Sequence, residues 1–93
     1  MNKLNELRQY SDPEYVMNKA QQLGLNPVYP SSQKKHKYMV FDGTKMIHFG
    51  LLPYQDYTYH HDPIRLMKFK KRYWKWQYAP KYSPRFLSWT LLW

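Results

Sequence analysis

Apolar positions recur with two different periods along this chain, and the change of period divides it. Between Ser11 and Gly24, Val16, Ala20 and Leu23 fall on one side of a helical wheel. Ser11 and Glu14 have the spacing of a capping box, Pro13 is tolerated in a first turn, and Gly24 supplies a stop. The spacing predicts a helix from about 12 to 23. The ten residues before it carry no clear start or stop signal and read as a helical or loose arm. Asn26 to Ser31 is extended, and Pro27 and Pro30 confine it to a sheet edge. Two β-rich runs, Tyr38-Met39-Val40-Phe41 and Met46-Ile47-His48-Phe49, flank Asp42-Gly43, a strong hairpin signal. Gly50 is expected to end the second of these strands.

The helical period returns after a tyrosine-rich connector, Leu51 to His61. Asp62 is placed as an N-cap and Pro63 as the first residue of a helix reaching about Trp76. On its wheel Leu66, Phe69, Tyr73 and Trp76 share a face flanked by Met67 and Trp74. Arg65, Lys68, Lys71, Arg72 and Lys75 gather opposite, and Lys70 alone breaks the apolar arc. Gln77 to Tyr82 reads as a loop, and Ser83-Pro84 starts a last short helix. Its sequel, Phe86, Leu87, Trp89, Leu91, Leu92 and Trp93, must pack on the sheet or enter a partner. The fold class is α+β: a small antiparallel hairpin sheet of two to three strands packed with about three helices, as one domain over residues 1–93.

Composition sharpens this picture. A chain of 93 residues buries only roughly 60–65% of the surface its unfolded form exposes, so large rings, 19% of the residues, are expected to supply much of the core. With no cysteine, disulfides, thiolate metal sites and cysteine nucleophiles are excluded. No apolar run approaches a membrane span, and the first residues lack the apolar stretch of a secretory signal, so the chain reads as not secreted.

The net charge of +9 is unevenly placed. Lys3, Arg8 and Lys19 balance Glu6, Asp12 and Glu14, and the next segment carries only one cation in excess. After Asp62 there is no acid, while Arg65, Lys68, Lys70, Lys71, Arg72, Lys75, Lys81 and Arg85 follow. This is the footprint of a partner that is a polyanion or an acidic surface, against the plainer reading of a solubilising face.

Candidate chemistry is sparse. His48, His60, His61, Asp56 and Asp62 are the only metal-like set. Adjacent His60 and His61 point opposite ways in an extended chain and no paired-histidine spacing occurs, so no metal and no cofactor is expected. His60 and Thr58 are expected to bond backbone around the start of the second helix. Clustered carboxylates, a nucleophile elbow and a glycine-rich phosphate loop are all missing, which argues against an enzyme. Tyr54, Tyr57 and Tyr59 are the rings best placed to stack on bases or line an interface; elsewhere rings are more economically read as core. A membrane-surface helix over 63–76 suits the Asp-Pro cap and preceding hairpin less well than a globular setting.

Several runs resemble a family of short, basic, uncharacterised proteins encoded by nucleocytoplasmic large DNA viruses. They are Lys37-Tyr38-Met39-Val40-Phe41-Asp42, His48-Phe49-Gly50, Tyr54-Gln55-Asp56-Tyr57-Thr58 with His60, Asp62 and Arg65, and the closing Leu87-Ser88-Trp89-Thr90-Leu91-Leu92-Trp93. Ser11-Asp12-Pro13-Glu14-Tyr15-Val16 extends the likeness over roughly 11–93. Relatives commonly carry two Arg where Arg65-Leu66 stands. The resemblance implies a viral context, in the virion or the infected cell, and supplies no catalytic residue. Together these readings make the chain a non-enzymatic binding protein. Its nucleic-acid contacts are expected from Arg65, Lys68, Lys71, Arg72 and Lys75, with Lys34, Lys35 and Lys37 as a second patch, largely without sequence specificity. The alternative is a minor capsid or cement protein that binds acidic surfaces of coat proteins.

Overall fold

The computed structural model describes residues 2–93. Helix α1, Lys3–Leu7, is capped by Asn2, whose side chain accepts from the Asn5 N–H. Its Leu7 is fully buried, so the N-terminal arm belongs to the folded body. Helix α2, Pro13–Gln22, is capped by Asp12, not Ser11: the Asp12 carboxylate accepts from the Tyr15 N–H. The capping box is therefore not made. Glu14 instead pairs with Arg8, and that guanidinium holds its carboxyl below the ordinary range. At the other end Gly24 takes the left-handed conformation (φ +74). The N–H groups of Gly24 and Leu25 bond Gln21 and Ala20 carbonyls, a Schellman stop.

Strands β1 (Val28–Pro30), β2 (His36–Phe41) and β3 (Met46–Leu51) form one antiparallel sheet in the order β1-β2-β3. Val28 pairs with Val40 and Tyr38 with Phe49. Asp42 closes the hairpin by accepting from the Thr44 and Lys45 N–H groups at 2.7 and 2.8 Å. Gly50 does not end β3; it lies inside the strand with φ +75. A Cβ there would come within 3.0 Å of Leu92 and 3.1 Å of Lys37 in a backbone conformation that side chains rarely adopt, so glycine favours the close approach of the C-terminal helix to this part of the sheet.

Past β3, the connector contains helix α3, Tyr57–His60, capped by Asp56. Asp62 caps α4, Pro63–Arg72, accepting from the Ile64 and Arg65 N–H groups. This helix is shorter than its wheel predicts. Trp74–Tyr78, partly expected as loop, is a 3-10 helix. Helix α5, Pro84–Leu87, is capped by Ser83 and continues through a π-helical stretch, Ser88–Leu92.

The core is Leu7, Val16, Ala20, Val28, Tyr38, Val40, Phe49, Leu87, Leu91 and Leu92, with Leu25 at its margin. Helix α2 packs beside β1, and α5 with its continuation packs on β3 and α2. The apolar C-terminus is thus core. No residue of α4 is buried. Its expected inner face, Leu66, Phe69, Tyr73 and Trp76, is only half-buried, and Ile64, Met67 and Trp74 stand exposed. What holds α4 is ring contact: Phe69 stacks on Trp93 (centroids 4.3 Å apart, planes 5° apart), and Lys70 lies 4.6 Å from the Trp89 ring centroid.

Candidate functional site

Two charged regions stand out, and they are built oppositely. The first is a buried polar network. Lys37, in β2, is 2% exposed and Asp56 is 1% exposed, and they pair at 3.0 Å. Lys37 was expected in a cationic surface patch. Instead its ammonium is withdrawn from solvent: its stem lies against Gly50, at the point where Leu92 of the C-terminal helix also closes in. Burial pulls the Lys37 ammonium below its ordinary pKa, while the charge and hydrogen bond of Asp56 oppose that pull.

The proton positions in this network follow from its donors. The Thr58 hydroxyl donates to Asp56 Oδ1. Its oxygen therefore accepts from Ser11, as well as from the Asp12 N–H at 2.9 Å. Ser11 in turn accepts from the Tyr38 hydroxyl at 2.7 Å. A one-way chain of hydroxyls, Tyr38 to Ser11 to Thr58, thus ends on the carboxylate that also holds Lys37. Desolvation raises the Tyr38 phenol well above its ordinary pKa. Ser11 is absent as a cap because this chain claims it, and Thr58 serves the start of α2 rather than that of α4. Only His60 bonds where expected, its Nδ1 accepting from the Asp62 N–H at 2.9 Å.

The second region is the outside of α4. Arg65, Lys68, Lys71 and Arg72, with Lys75 on the following 3-10 helix, are all exposed. Among the described residues none has a carboxylate partner. Arg65 donates to Gln55 at 3.2 Å. The row is not purely cationic, since Ile64, Met67 and Trp74 emerge among the charges. Lys34 and Lys35 are exposed in the turn before β2. Lys34 lies beside Asn2, Lys3 and Glu6.

Between the two regions opens a cleft of about 720 Å3. Strands β2 and β3 contribute His36, Lys37 and His48; the connector contributes Tyr54, Gln55 and Asp56; helix α4 contributes Arg65 and Phe69. Tyr73 and Trp76 follow, and Arg85 and Trp93 close the C-terminal side. Of the three singled-out tyrosines only Tyr54 reaches this cleft. Tyr57 is half-buried edge-on to His60 and His61, and Tyr59 lies near Arg8 and Asp12. No signal in the sequence points to the cleft, because its walls come from five separated segments.

The histidines do not assemble. His48 Nδ1 bonds Ser31 at 2.7 Å, and its ring lies 6.0 Å from that of His36. Desolvation is the main cause holding His36 and His60 below the ordinary histidine pKa. Among the described residues no three His, Asp or Glu converge on a point that could hold a metal ion. None of the described helices is long and apolar enough to cross a membrane.

Residues 27–73 match the model of a family of unknown function, DUF5754, which is half of the chain. The chain belongs to this family. No curated protein and no solved structure matches it. In this chain the DUF5754 segment runs from the residue before β1 to the end of α4. It includes Lys37, Tyr38, Asp56, Thr58 and the cations of α4 up to Arg72. It excludes Ser11 and also Leu7, Val16, Ala20, Leu25, Leu87, Leu91 and Leu92, seven of the eleven buried apolar residues of the core, so here the DUF5754 segment draws most of its core from the flanking chain.

Proposed function

We propose that this protein is a non-enzymatic basic binding protein that engages nucleic-acid backbone through the outer side of α4 and the 3-10 helix after it. One observation carries the reading: Arg65, Lys68, Lys71, Arg72 and Lys75 form an exposed row with no carboxylate partner among the described residues. Exposed, unpaired cations on one element displace counterions from a phosphate backbone and carry little sequence information. Lys34 and Lys35 remain available as a lesser patch, and Lys37 drops out of it. In the large DNA virus that the resemblance implies, such a protein serves genome association or packaging.

The test is duplex binding across a salt series. Affinity should fall steeply with salt. In the variant Arg65→Gln, Lys68→Gln, Arg72→Gln, Lys75→Gln the slope of log K against log salt should flatten by about 0.9 per lost contact. Unchanged affinity and slope in that variant would remove the assignment.

The second reading, a minor capsid or cement protein, draws on Ile64, Met67 and Trp74 standing exposed among these cations. It predicts that the protein stays with shells emptied of genome. The buried C-terminus offers this reading no apolar anchor.

A further inference from the structure

The chemistry of the cleft is divided between rings and charge. Phe69, Tyr73 and Trp76 line one side, with Tyr54, 69% exposed, toward solvent. Among the described residues Asp56 is the only acidic side chain in its lining, and Lys37 neutralises it. Arg65 and Arg85 are exposed and have no carboxylate partner among the described residues, which leaves the cleft two positive charges. The volume of about 720 Å3 lies in the range that encloses a small organic ligand. Rings beside guanidiniums that no acidic side chain neutralises suit a flat ligand that is also anionic.

We infer that this cleft is a nucleotide site, taking one unpaired heterocyclic base against Tyr73 and Trp76 and its phosphate at Arg65 and Arg85. The inference rests on the nucleic-acid reading and deepens it. The outer row from Lys68 onward follows the backbone while the cleft, on the flank of the same helix that Arg65 shares with Phe69, receives one base that is not stacked in a duplex. A free nucleotide presents the same chemistry, and the experiment separates the two sources.

Tryptophan fluorescence of the full chain is titrated with adenosine monophosphate, with a short single-stranded oligonucleotide and with its duplex. The variants are Arg85→Gln, Tyr54→Ala and the triple change Lys68→Gln, Lys71→Gln, Lys75→Gln, all at exposed positions. The single strand should bind more tightly than the duplex. Arg85→Gln should raise its Kd about tenfold, the loss of one charge-assisted contact. Tyr54→Ala should weaken the single strand and spare the duplex. The triple variant should weaken both polymers and leave adenosine monophosphate unaffected. Binding of the mononucleotide that Arg85→Gln weakens assigns the cleft to free nucleotides as well; binding of the single strand alone assigns it to a strand. Duplex bound as tightly as single strand, with Arg85→Gln and Tyr54→Ala silent, overturns the cleft and leaves the backbone reading standing. Failure of both polymers overturns the backbone reading, and the cleft falls with it unless the mononucleotide binds in an Arg85-dependent way.

Discussion

The surroundings of Lys37 and the outer row of α4 use the same charge under opposite rules. Lys37 sits where water cannot reach, and Asp56 is all that makes its ammonium tolerable. Lys68, Lys71 and Lys75 cost the fold almost nothing, since solvent screens them, and for the same reason they contribute almost nothing to it. A buried charge is therefore a statement about architecture, and an unpaired exposed row is a statement about what lies outside the molecule. The two are separable by experiment, because perturbing the first should unfold the protein and perturbing the second should not.

The largest effect is expected from removing the cover over the buried side. Deleting Leu91-Leu92-Trp93 takes away two buried leucines. Each is worth about 2–5 kcal/mol when truncated, against a total stability of about 5–15 kcal/mol. The shortened chain should show no cooperative melt by circular dichroism. A melt like that of the full chain would mean that the C-terminal helix does not close the core.

Next in size is Asp56→Ala, which strands the Lys37 ammonium and should cost about 3–5 kcal/mol in urea unfolding. The double change Lys37→Met, Asp56→Leu should recover most of that loss, because two apolar side chains need no partner. If Asp56→Ala unfolds like the parent, the contrast between the two regions is wrong.

A smaller effect comes from acid. His36 and His60 have folded pKa values depressed below the ordinary value of 6.5. The unfolded chain therefore binds more protons once pH falls below about 6.5, and stability declines as pH drops through that value toward the depressed ones. Melting temperature should be lower at pH 5.5 than at pH 7.5. His60→Gln should flatten the difference, and a parent whose melting rises on acidification would contradict the burial of these rings.

The smallest effect on stability belongs to the outer row. Arg65→Gln, Lys68→Gln, Arg72→Gln and Lys75→Gln together should shift melting by only a few degrees, since exposed substitutions each fall within about 0.5 kcal/mol. A collapse of the melt would show that the row supports the fold and is not held in reserve for a partner.

Local chemistry was readable ahead of the structure wherever it stayed local. Asp62-Pro63, Ser83-Pro84 and Asp42-Gly43 open helices and close the hairpin as their side chains dictate. The apolar C-terminus is legible as a segment that the sheet or a partner must cover; the fold decides between them, with Leu87, Leu91 and Leu92 buried. Ser11 was misassigned because it and Asp12 are equally good caps, and the deciding partner, Tyr38, is 27 positions away. Lys37 was misassigned because a lysine in a basic stretch looks solvated until Asp56, 19 positions on, is brought to it. The wheel of α4 leaves Lys68, Lys71, Arg72 and Lys75 exposed as expected, but it sets Arg65 opposite the rings with which it lines the cleft and overstates the inner face, since nothing in a wheel says how deeply a helix is seated.

Gly50, with φ +75, lets the C-terminal helix rest on the sheet at a point where a Cβ would press on Leu92 and Lys37. The sheet is complete in the chain by Leu51, yet its cover includes Leu87, Leu91 and Leu92. During synthesis the three strands therefore emerge long before the leucines that cover them, and a small sheet alone is marginal in water. The nascent chain carries an unshielded apolar surface and an unburied Lys37 through that interval, the stage at which sheet edges are open to wrong pairing. The hairpin, although the most local element, is therefore not fully covered until the C-terminal helix has been made.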